Sequence, residues 1–176
     1  MRIAAQVMIG YAVVLVLGVV WRFIPVDRAM PDAVALFAAY LGLTARQRLA
    51  PSVLGAVVLG YLADLLLGTP RGMWSADAGA LCLAAHVVHR RLIVRGWLVT
   101  AAFTALAAVA SAALLIALRA AVGVGPAPLA DELAVLAASA ALTGVCGPAA
   151  FRLCRAVDAA FARTQRERLA VREGVF

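Results

Sequence analysis

Lysine is missing from this chain, asparagine and glutamine are scarce, and only 14% of its 176 residues are charged. Soluble domains carry about 25% charged and 45–50% apolar residues. Here the apolar share is 65% and the mean hydropathy is +0.99, which excludes a soluble globular enzyme and predicts a polytopic membrane protein. Cysteine is also sparse. Cys82, Cys146 and Cys154 lie in or beside apolar segments with no CxxC or Cys/His cluster, a pattern of free thiols rather than of a disulfide or metal centre. His86 and His89 read as interfacial residues beside Arg90 and Arg91, not as metal ligands. No nucleophile motif, glycine-rich phosphate loop or zinc signature is present, and Ser52, Ser75, Ser111 and Ser139 have no base at a credible spacing. Nor do paired intramembrane acids stand out. The expectation is a protein that is not an enzyme and holds no cofactor.

What is present is arginine, which supplies the whole basic side of a formal charge of +7. The arginines cluster in segments that border apolar runs, so a nucleic-acid role is set aside. Six apolar segments emerge, at 3–21, 32–45, 51–67, 75–94, 97–118 and 131–151, followed by a basic tail at 152–176. The first runs from Ile3 to its exit at Trp21 without a small-x-small cleavage pattern, so it reads as a retained span. The second is short, roughly 21 Å at helical rise against a hydrocarbon core of about 30 Å. It must borrow flanking residues, thin the bilayer or be sheltered by neighbouring helices.

Arginine placement orients the spans. With the N-terminus in the cytoplasm, twelve arginines fall inside and four (Arg22, Arg28, Arg71, Arg119) outside, alternating loop by loop. This is a positive-inside signal for a compact all-α bundle of six transmembrane helices with both termini cytoplasmic. Arg90, Arg91 and Arg95, with Arg152, Arg155, Arg163, Arg166 and Arg168 of the tail, are the expected basic surface at the membrane. The tail is open to two readings: an amphipathic helical extension of span six lying on anionic headgroups, or an ordinary stop-transfer segment.

Small residues mark where membrane helices approach closely. Ala105, Ala108 and Ala112 in span five, and Ala140, Gly144 and Gly147 in span six, are the predicted contact face. Pro148 removes a backbone donor and should bend or loosen the last turn.

Asp64 lies within the apolar run 51–68, where an ionisable group is costly, about 2.5–3.5 kcal/mol at a helix centre. Depth counting from Pro51 places it roughly 20 Å in, within the outer third. Gly60, Asp64 and Gly68 share one helix face. Three roles stand open: accepting loop amides or pairing with Arg71 to fasten the turn between spans three and four, holding a partner, or moving a proton or ion.

Pro31-Asp32 followed by Leu36 and Tyr40, the basic break at Arg46–Arg48, and Gly60-Tyr-Leu-Ala-Asp64-Leu-Leu-Leu-Gly68-Thr-Pro70-Arg-Gly72 together resemble the bacterial rod shape-determining MreD family. A small-residue sixth helix that reaches Pro148 and closes in a basic tail continues the likeness. The resemblance implies a non-enzymatic inner-membrane scaffold of the cell-wall elongation complex. Its partners would be MreC, and beyond it MreB and the RodA–penicillin-binding protein synthase, with anionic lipid headgroups around the basic surface. The family is also similar in fold to the substrate-binding subunits of energy-coupling-factor transporters. The alternative reading is therefore a vitamin-binding subunit, with Asp64, Arg71, Trp74 and Asp77 around an outward pocket.

Overall fold

Apolar segments with no water to bond must satisfy their backbone internally, and a helix does so within one segment. The computed structural model describes residues 2–21, 23, 29–45, 49–70, 72–91, 96–123 and 129–172, and among these every regular element is helical. The helices are α1 (Arg2–Trp21), α2 (Ala33–Thr44), α3 (Leu49–Leu67), α4 (Met73–Arg91), α5 (Trp97–Ala121) and α6 (Leu129–Arg172). Four are long and apolar enough to cross a membrane: α1, α3, α5 and the Leu133–Arg163 stretch of α6. The C-terminal ends of α1, α3 and α5 and the N-terminal ends of α2, α4 and α6 meet around one cavity, at the end of the bundle here called distal. The other end, where Arg2 and Tyr40 meet Asp158, is called proximal.

The short second helix is the centre of the molecule. Every α2 residue from Ala33 to Leu43 is buried, and α2 packs on each of the other five helices. Of the three ways open to a segment too short to span, shelter by neighbours is the one realised. Its small residues permit this: a Cβ at Gly42 would fall 2.2 Å from the Cys82 carbonyl oxygen of α4.

The α5–α6 pair meets where the small residues predict. Ala108 and Ala140 are buried, and a Cβ on Gly144 would press on Ala105 at 3.1 Å. Gly147 is tighter still, with its Cβ position 2.1 Å from the Thr104 hydroxyl. Ala112, by contrast, is only half-buried and lines a cavity.

Pro148 does not end α6. Packing holds the helix on both sides of it, through Gly144 and Gly147 before and the buried Phe151 and Cys154 after. The helix continues unbroken for 44 residues, roughly 66 Å. The boundary expected at 151/152 falls inside this helix, which carries the tail on as far as Arg172.

Candidate functional site

Three carboxyl clusters fasten the bundle, two of them buried, and a cavity opens beside one of those. The first is the α3–α4 turn. Asp64 is 2% exposed and four donors converge on it. Its Oδ1 accepts the Thr69 hydroxyl at 2.9 Å and the Trp74 amide at 3.1 Å. Its Oδ2 accepts the amides of Gly72 at 2.9 Å and Ser75 at 3.4 Å. The Trp74 and Ser75 amides belong to the first turn of α4, whose exposed N–H groups seek an acceptor. Gly72 reaches the carboxylate with φ +98, a conformation that favours glycine. The Pro70 carbonyl accepts the Met73 amide at 3.3 Å and closes the turn. Arg71, the proposed ionic partner, lies outside the described residues.

The shared face of Gly60, Asp64 and Gly68 is only partly realised. Gly60 packs on α4, where a Cβ would fall 2.2 Å from the Trp74 carbonyl oxygen. Gly68 packs on nothing: it follows the last residue of α3 with φ +63, and its Cβ would meet open space. Its place is that of a left-handed helix terminator, not a contact.

The second cluster corrects the expectation that no acids pair within the bundle. Asp32 caps α2, its Oδ1 accepting the Ala35 amide at 2.8 Å. Its Oδ2 lies 2.9 Å from the Ser111 hydroxyl of α5, which also lies 2.7 Å from Asp77 Oδ2 of α4. Pro31, buried just before the cap, accepts the Ala33 amide. From α6, the Thr143 hydroxyl accepts the Asp32 amide at 2.9 Å, and the Ser139 hydroxyl donates to the Met30 carbonyl at 2.6 Å.

A serine hydroxyl carries one proton, so it donates to one carboxyl and accepts from the other only if that one is protonated. Asp32 sits at a helix N-terminus that favours an anion. Asp77 is fully buried and its Oδ1 has no partner, an arrangement far less costly for a neutral acid than for a carboxylate. The consistent arrangement is a proton chain, from Asp77 to Ser111 to Asp32, with the negative charge on Asp32. Sequence reasoning missed it because residues 32, 77 and 111 belong to three different helices.

The third cluster lies at the proximal end. Asp158 of α6 receives the Arg2 guanidinium in a two-pronged ion pair, the Gln6 amide at 2.8 Å and the Tyr40 hydroxyl at 2.8 Å. Gln6 also donates to the Cys154 carbonyl at 3.0 Å, and the Tyr40 ring meets Phe151 edge-on, with centroids 5.3 Å apart. One carboxylate thus ties α1 and α2 to α6. The signal for it was an exception to its surroundings: Gln6 in an apolar span, and an acid among the tail arginines.

Of the basic surface, Arg90, Arg152, Arg155 and Arg163 are exposed. Arg91, Arg166 and Arg168 occupy helical positions, and Arg95 lies outside the described residues. Gly96, Trp97, Thr100, Pro148, Arg152 and Arg155 surround a small proximal hollow of about 390 Å³.

The distal cavity is larger, about 870 Å³. Its walls come from all six helices and are mostly aliphatic; Asp32, Ser139 and Arg119 bring the polar groups. Of the four residues expected around an outward pocket, Trp74 lines it. Asp64 and Asp77 do not, being buried and engaged elsewhere. Compared with known proteins, the chain matches no family model, no curated protein and no solved structure.

Proposed function

We propose that the chain is a six-span scaffold subunit of the MreD type, resident in the bacterial inner membrane with both termini cytoplasmic. Its task would be to hold MreC, and through it the lateral cell-wall synthesis machinery. The observation that carries this reading is the use made of the family-like residues. Pro31, Asp32, Gly60 and Asp64 of the family-like segments sit where helices meet, with Asp64 accepting four hydrogen bonds inside one turn. Such residues specify a rigid shape, which a scaffold requires. The arginine bias supports the orientation, in which the exposed Arg90, Arg152, Arg155 and Arg163 would face the cytoplasm.

The experiment is depletion in the native rod-shaped host, together with affinity purification of the detergent-solubilised chain. Rounded cells and co-purified MreC are expected. Normal rods after complete loss, with no MreC recovered, would overturn the proposal.

The transporter-subunit reading draws on the distal cavity, whose volume lies within the usual ligand range of about 300–1,000 Å³. Its largely aliphatic walls suit a polar vitamin poorly. Saturable binding of one soluble metabolite in detergent would favour it over the scaffold.

A further inference from the structure

The distal cavity has a shape and a charge that the scaffold reading leaves unused. The buried residues of α1 are Gln6, Val7, Gly10 and Val14, and none follows Val14. Beyond that point Leu17 still packs against the core, but the face carrying Leu15, Gly18 and Val19 is left uncovered. Leu15, Gly18 and Val19 form one wall of the cavity, and Leu15, Val16, Val19 and Val20 are exposed. A Cβ built on Gly18 meets nothing within 4 Å. The opposite wall is Ala108, Ala112, Leu115 and Ile116 of α5. Among the described residues α1 and α5 do not pack on each other, so the cavity opens between helices toward the lipid.

Arg119 stands at its mouth in the last turn of α5. It is exposed, and no carboxylate lies within ion-pair distance of it among the described residues. Counted from Trp97 at the other end of α5, Arg119 lies roughly 33 Å along the axis, about the thickness of the hydrocarbon core. That puts the guanidinium at headgroup level beside an aliphatic chamber.

We infer that this cavity holds one anionic phospholipid, an acyl chain between α1 and α5 and its phosphate on Arg119. The guanidinium fork suits a phosphate. A flexible chain suits the chamber better than a partner helix does. A helix with its side chains is about 10–12 Å across, so this volume would take only about two turns, enclosed on several sides. The inference requires a membrane-embedded bundle but holds whether or not the chain binds MreC.

Trp74 lines the cavity and serves as the reporter. The full chain, carrying Trp21→Phe and Trp97→Phe so that only Trp74 emits, is placed in phosphatidylcholine nanodiscs. These are titrated with phosphatidylglycerol or phosphatidylcholine bearing a doxyl quencher on the acyl chain. Saturable quenching by labelled phosphatidylglycerol is expected, with an affinity about fivefold above that of labelled phosphatidylcholine. Arg119→Gln should remove that preference. Gly18→Phe should abolish the saturable component by filling the chamber from α1, and Ala112→Phe should do the same from α5 should the first variant fold poorly. Equal quenching by the two labels, or a preference that survives both filling variants, would overturn the inference. So would displacement of the label by soluble glycerol phosphate alone, since that would make the site one for a free anion.

Discussion

The two ends of α2 are held by carboxyl clusters that solve the same problem with different chemistry. At the proximal end, Asp158 keeps its charge and meets Arg2, whose side chain is 48% exposed against 18% for Asp158. Water reaches that pair, so ionisation is supportable there. At the distal end Asp77 is fully buried, and among the described residues no arginine meets it. Two carboxylates could not both stay charged around one hydroxyl, and the cluster is reconciled by a proton shared through Ser111. A full ion pair belongs where solvent lowers the cost of charge, and a proton chain where it does not.

Substitution separates the two designs. The largest effect is expected from Asp158→Ala, which strips Gln6 and Tyr40 of a shared acceptor and leaves Arg2 without its counter-ion. Each lost buried bond costs about 1–3 kcal/mol, discounted for the half-exposed Arg2. Thermal unfolding in detergent should report a loss of about 3 kcal/mol, and a loss under 1 kcal/mol would show that the cluster is not a fastener. Ser111→Ala comes next. It removes the bridge and leaves two buried acids facing one another, at a cost of about 1–3 kcal/mol in the same assay. Asp77→Asn should be the mildest, within about 1 kcal/mol of the parent, because an amide can donate to Ser111 as the protonated acid does. A large loss there would mean that Asp77, not Asp32, bears the negative charge. The matched change Asp158→Asn sharpens the contrast, for it deletes the ion pair and should cost more than Asp77→Asn.

What could be read from the sequence follows the distance between partners along the chain. Asp64 was legible because all four of its donors lie within eleven residues of it. The turn residues Gly72 and Pro70 announce the same motif. Asp158 was not legible, since Gln6 and Tyr40 are 152 and 118 positions away. Asp32, Ser111 and Asp77 failed for the same reason: each is ordinary in its own segment, as a helix cap, a small helical residue and an acid near a helix start. Small residues predicted the α5–α6 contact well, because backbone approach depends on side-chain size alone. Gly68 shows the limit of that rule, being small for conformation rather than for contact.

The unbroken α6 has one more consequence. A helix turns about 100° per residue, and Asp158 pins this one to Arg2, Gln6 and Tyr40 partway along its length. The compass bearing of the helix from Asp158 to Arg172 is thereby set by the bundle. This last stretch of the helix behaves as a keyed shaft: whatever side of it Arg163 presents is fixed with respect to the bundle, and inserting a single residue after Phe161 would swing that side about a quarter turn.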